Sequence, residues 1–393
     1  MESGITYYGS NQLDSIPSIT FFILPWLLVQ AMATWGVLYF LPVHIGRQLS
    51  WLYVVSNLVI IYFSALYYAT KLFVSINVII CLANGFVLGG LGWIYTWFGN
   101  EDEKMLELVK GRIAQKPALS IHSISDGIDS QAFYFAVLVY FGGFLLQGLA
   151  LAIVFFIKSK PNFTVIAFKP KLIRKIFIYS SIAFISNIVF FLVTRIDYFF
   201  VERYCSKIAL SNYVQVSKMG QLLVLLPTII AGVVFPYSSG VEDEAYLGKL
   251  QALCRIIGLL FLPLAIIIVV SGYWLFPWLF GAGFRSMYPS MLFYLPGFYF
   301  LSLVTLLAAY IAGRAMLTKN LVASGIALIV VIMGDMFLIP VWGINAAAAV
   351  SSGAYFLCML YLLWIFKQHF GGRPKDFFAL QLKDLQLLFR GIF

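Results

Sequence analysis

The stretch FLVTRIDYFFVE, residues 191–202, sets Arg195 and Asp197 two positions apart inside an apolar run that begins near Ile176. Charges in such a run need partners or water, which makes them the first candidates for chemistry. At about 3.6 residues per helical turn, Ser180, Asn187, Thr194 and Tyr198 fall on one line, with Arg195 and Asp197 flanking it on opposite sides. The next run repeats the pattern in SNYVQVSKMGQ, where Ser211, Gln215, Lys218 and Gln221 share one broad face. In a later run Asn320, Ser324 and Asp335 line up.

Two arrangements would satisfy these residues. Asp197 with Lys218, or Arg195 with Asp335, would make static ion pairs that fix helix packing, with Arg195 and Lys218 snorkelling outward. Alternatively, the polar stripes line a water-filled cavity. In that case Arg195, Lys218, Asn187 and Gln215 would contact an anionic substrate, and Asp335 and Asp197 would bind a coupling ion such as a proton or sodium.

Composition names the solvent around these stripes. The 393 residues are 62% hydrophobic and 11% charged, against about 25% charged in soluble domains. Apolar runs of about 20 residues or more, each long enough to cross about 30 Å of hydrocarbon, recur along the chain. Ten are predicted: 18–42, 50–70, 72–98, 132–157, 175–200, 211–238, 250–275, 288–313, 317–339 and 343–367. They are continuously apolar, without the alternation of a membrane barrel, so helices are expected. The fold class is an all-α polytopic membrane helix bundle.

Basic residues orient it. The segment KSKPNFTVIAFKPKLIRK has Lys158, Lys160, Lys169, Lys171, Arg174 and Lys175 and no acid, which places it in the cytoplasm by the positive-inside bias. With an even number of spans, both termini then fall inside as well. The acidic 99–131 loop falls outside and includes a short helical pattern. The tail KDFFALQLKDLQLLFRGIF reads as an amphipathic helix on the inner leaflet.

Several functions are excluded. The net charge of +10 is mainly a topology signal, and there is no basic stripe interleaved with aromatics for nucleic acid. Cys81, Cys205, Cys254 and Cys358, like His44, His122 and His369, lack disulfide or metal-ligand spacing. The sequon at Asn162 lies on the predicted cytoplasmic side. No phosphate loop or Ser/His/Asp arrangement occurs, so neither a cofactor nor an enzymatic centre is expected.

Further along, a resemblance emerges. The run SSIAFISNIVFFLVTRIDYFFVE followed by IALSNYVQVSKMGQLLVLLPTIIAGVVFPYSS is similar to the opening hairpin of the C-terminal lobe in bacterial polysaccharide (O-antigen type) flippases. These belong to the multidrug, oligosaccharidyl-lipid and polysaccharide exporter superfamily. LFGAGFRSMYPSMLFYLPGFYFLS and FLIPVWGINAAAAVSSGAYF resemble later spans of that family. Asp335 stands where the family's usual residue is asparagine.

The resemblance implies two pseudo-repeated lobes that rock to carry undecaprenyl-diphosphate-linked oligosaccharide across the bacterial inner membrane. Membrane lipids and polysaccharide assembly proteins are the implied neighbours. The expected organisation is an incomplete N-terminal lobe of four spans over 1–157 and a basic connector over 158–174. A complete six-span lobe over 175–368 and a cytoplasmic tail over 369–393 follow. The opening MESGITYYGSN resembles the turn after the family's second span, so the first helix pair is expected to be missing. A multidrug or cation antiporter of the same superfamily, and a membrane glycan polymerase, are the alternatives.

Overall fold

The computed structural model describes residues 1–40, 47–113, 130–159, 170–239, 244–379 and 384. Within them, the side chains of Leu13 and of residues 94–113, 130–134, 244 and 245 are not described. Ten helical spans among the described residues are long and apolar enough to cross a membrane. The protein is an all-helical, multi-pass membrane protein. It divides into two units, one of Glu2 and residues 4–173 and the other of Met1, Ser3 and residues 174–393.

The first unit comprises α1 (Glu2–Asn11), α2 (Ile16–Phe40), α3 (Arg47–Ala69), α4 (Phe73–Ile113) and α5 (Ser130–Ser159). Glu2–Asn11 is a helix where a turn is expected from the sequence. α5 packs on α3 and α4, and α2 packs on α3. Tyr67 on α3 donates to the Leu151 carbonyl at 3.1 Å and stacks edge-on to Phe155. Tyr62 donates to Gln30 Oε1 at 2.8 Å, tying α3 to α2.

α4 differs from its predicted span, which ends at 98. It continues through Gly99 and Asn100 to Ile113, so the helical pattern expected in the outer loop is the same helix prolonged. NEDEKMLELVK contains good helix formers and no proline, and nothing in it stops propagation. Residues 114–129 lie outside the described residues, as do 160–169 of the basic connector.

The second unit comprises α6 (Pro170–Val193), α7 (Ile196–Tyr204), α8 (Lys207–Ser239), α9 (Glu244–Phe280), α10 (Met287–Gly313), α11 (Leu317–Trp342) and α12 (Ile344–Phe370). α10 and α12 are central, with α10 packed on α8 and α12, and α12 packed on α11. α9 shows how the sequence chooses sides. Leu262, Ile266, Val270, Trp274 and Trp278 recur every fourth residue and are exposed, as a lipid-facing stripe requires. Leu250, Leu253, Ile257, Phe261 and Ile268 are buried in the core.

Close helix approach depends on Gly220. A Cβ there would stand 1.8 Å from the ring of Phe298 on α10, so only glycine lets α8 and α10 meet at this level. At the end of the chain, Gly371 at φ 67° stops α12, and a 3₁₀ turn over Pro374–Phe377 folds back. Phe377 is buried there against Phe366. Arg255 on α9 clamps this return with a two-pronged ion pair to Asp384, both contacts at 2.7 Å, and a hydrogen bond to the Asp376 carbonyl. The opening of the predicted amphipathic tail thus packs on the helical unit, while residues 380–383 and 385–393 lie outside the described residues.

Candidate functional site

The fifth predicted span is two helices. Thr194 and Arg195 form a turn between α6 and α7, with Arg195 at φ −137° and ψ −21° and its amide bonded to Leu192 three residues back. α7 therefore starts afresh at Ile196, and Asp197 occupies its first turn. A carboxylate suits that place, because the first amides of a helix lack carbonyl partners. Asp197 Oδ1 accepts the Tyr198 amide at 2.9 Å.

α7 packs on α8, α11 and α12, and each brings a residue to Asp197. Tyr213 of α8 donates its hydroxyl to Oδ2 at 2.5 Å, and Ser351 of α12 approaches the same oxygen at 3.5 Å. Asp335 of α11 lies within electrostatic range of Asp197 and Tyr213. Both carboxylates are fully buried. Their situations are opposite, since neither oxygen of Asp335 has a hydrogen-bond partner.

Neither ion pair considered from the sequence forms. Among the described residues, Asp197 is not paired with Lys218, nor Arg195 with Asp335; the pair present is Arg255 with Asp384. Asp197 instead takes its hydrogen bonds from neutral donors. Arg195 is half-buried and turned to Tyr198, donating to its hydroxyl at 2.8 Å with the guanidinium over the ring at 5.2 Å. Lys218 is exposed and Gln215 half-buried on α8.

The polar residues of α11 also separate along its helix axis. Asn187 of α6 borders a cavity of about 490 Å³ together with Asn320 and Ser324 of α11. Asp335 is not among the residues lining it. Eleven residues separate Ser324 from Asp335, about 16 Å along a helix axis. A shared helical face did not mean a shared site.

The structure thus makes two places from the predicted residues: a buried carboxylate pair, and an uncharged cavity. Tyr213 and Ser351 were missed in the sequence. Tyr213 lies within the quoted SNYVQVSKMGQ stretch, and its hydroxyl in an apolar run was the available signal. Ser351, 154 residues from Asp197, offered none. Among the described residues no cluster of three or more His, Cys, Asp or Glu could hold a metal ion.

Residues 50–289 match the family model described as polysaccharide biosynthesis protein. The chain belongs to that family. This membership agrees with the resemblance carried by the two hairpin runs, both within or adjoining the matched residues. Among solved structures, the chain is similar to lipid II flippase MurJ in an inward closed conformation. The identity is 16% and the TM-score 0.48, over 98% of this chain and 77% of that one. No curated protein matches the chain.

Proposed function

We propose that this polysaccharide biosynthesis protein is a transporter that moves undecaprenyl-diphosphate-linked oligosaccharide from the inner to the outer leaflet of the bacterial inner membrane by alternating access. Its termini lie on the cytoplasmic side. A diphosphate bearing sugars does not cross hydrocarbon unaided, because its charge and hydroxyls lose water without replacement. Arg195 and Lys218 are the cations that meet the diphosphate, with Gln215 beside Lys218 and Asn187 on the sugar.

The buried carboxylates carry the coupling. An ionised group taken out of water without a partner costs several kcal/mol even after relaxation, on the order of the effective penalty for buried ions. Asp335 has no hydrogen-bond partner for either oxygen, and Asp197 adds a second carboxyl beside it. A proton or a sodium ion on the pair relieves that penalty. Loading and release of the ion in alternate states would link transport to an ion gradient. The observation that supports this reading most is family membership joined to a carboxylate buried without a partner.

The test is uptake of labelled lipid-linked oligosaccharide into proteoliposomes under an imposed proton or sodium gradient. Transport that is present and gradient-driven supports the reading. Transport of an organic cation instead would identify the antiporter alternative, and glycan elongation without translocation would identify an enzyme.

A further inference from the structure

The cavity described above lies between α6, α8, α10, α11 and α12, with Ser3, which groups with the second unit, also on its border. Small residues keep it open. Ala183, Ala231 and Gly232 line it on one side and Ala308, Ala309 and Ala323 on the other, where larger side chains would fill the space. Its volume of about 490 Å³ falls in the range of small-ligand pockets, roughly 300–1,000 Å³.

The lining is selective in its chemistry. None of the residues bordering it is charged. Asn320 is only 8% exposed and donates its Nδ2 to the Ala308 carbonyl at 2.8 Å, while its Oδ1 has no partner. Thr228 and Thr305 donate their hydroxyl protons one turn back along their own helices, to Val224 at 2.9 Å and Leu301 at 2.8 Å. Their oxygens are thereby left as acceptors. Asn187 adds an amide at the rim.

Such a site discriminates between the parts of a glycolipid. A phosphate brings charge and acceptors to a wall without a cation, and would be desolvated with nothing to balance it. An alkyl chain fills space but leaves Asn320 Oδ1 without a donor. A neutral ring rich in O–H or N–H groups supplies donors where acceptors are presented, and lays its apolar faces against the alanines.

We propose that this cavity binds one neutral glycosyl ring, with a sugar hydroxyl or acetamido N–H donating to Asn320 Oδ1. That the ring belongs to a lipid-linked oligosaccharide rests on the transporter reading; the choice of a neutral, donor-rich ring rests on the cavity.

Binding is measured on the purified full-length protein in nanodiscs by saturation-transfer NMR, using methyl glucoside and methyl N-acetylglucosaminide as probes. Inorganic diphosphate and farnesol are the comparison probes. A methyl glycoside should bind. Asn320→Leu should weaken it at least about tenfold, the scale of one lost hydrogen bond to a buried group. Ala308→Phe should abolish it by occupying the space.

Should Ala308→Phe fail to fold, Thr305→Val changes an acceptor without changing size and should still weaken sugar binding. No binding of either glycoside at millimolar concentration overturns the proposal. So does glycoside binding that is indifferent to Asn320→Leu and Thr305→Val, or a cavity that takes farnesol in their place. Sugar binding without translocation of lipid-linked oligosaccharide would leave the site standing and remove the transporter reading. Translocation without Asn320-dependent sugar binding would do the reverse.

Discussion

Asp197 and Asp335 lie near each other on α7 and α11, both fully buried, and the same substitution should affect them in opposite ways. Asp197 accepts hydrogen bonds from the Tyr198 amide and the Tyr213 hydroxyl, with Ser351 at 3.5 Å. Hydrogen bonds to a charged group contribute about 1.5–3 kcal/mol and neutral ones about 1 kcal/mol. Asp197→Asn leaves a single acceptor oxygen and turns an NH₂ toward a donor, so the change should cost about 2–4 kcal/mol. Asp335 loses no bond on becoming asparagine, since it makes none. Its substitution should therefore stay within about 1 kcal/mol of neutral, and should be favourable wherever the carboxylate was ionised.

For a unit of roughly 150–250 residues, 1 kcal/mol moves the melting point by about 2–4 °C. Asp197→Asn should then lower Tm by about 4–16 °C, and Asp335→Asn should move it by no more than about 4 °C. The assay is thermal unfolding in nanodiscs, paired with proteoliposome transport with and without an ion gradient. Asp335→Asn should keep the fold and lose the gradient dependence. A fall in Tm as large as that of Asp197→Asn would show that Asp335 is a structural anchor, and unchanged gradient dependence would remove it from ion coupling. Rescue of such a fall by Arg195→Gln would restore the static pairing that the geometry speaks against.

Three further outcomes are expected. Asp384→Ala strands Arg255, whose side chain is 5% exposed, and should cost about 3–5 kcal/mol; Arg255→Met in the same chain should recover most of it, as read from unfolding midpoints. Gly220→Ala pushes a methyl into the ring of Phe298, itself stacked on Tyr294 at 4.2 Å, and should cost about 1–3 kcal/mol, with Phe298→Leu restoring stability. Burial pushes the Cys205 thiol above its ordinary range, so at neutral pH it should react with maleimide more slowly than a cysteine placed at the exposed neighbouring position by Ser206→Cys. Equal labelling rates would contradict the burial of Cys205.

Membrane spans are legible because hydropathy is a local property: about 20 apolar residues must be helical in lipid whatever they pack against. The ten predicted runs recur as ten helical spans. The likeness carried by FLVTRIDYFFVE and SNYVQVSKMGQ likewise lies in contiguous residues, and the family match agrees with it. Even Asp335 could be singled out, because a carboxylate in an apolar run is costly at any position.

What each charge touches was not legible. Thr194 and Arg195 contain no proline or glycine to mark the break between α6 and α7, yet that break turns Asp197 toward Tyr213 and away from the line drawn through Ser180 and Asn187. Face alignment is periodic, so it placed Asn320, Ser324 and Asp335 together, but it says nothing of height along the axis. Arg255 meets Asp384 across 129 residues, and Ser351 meets Asp197 across 154. Such contacts depend on which helices are neighbours. That choice follows from the packing of α7 against α8, α11 and α12, where close approach is set by shape at many positions at once rather than by any single stretch of chain.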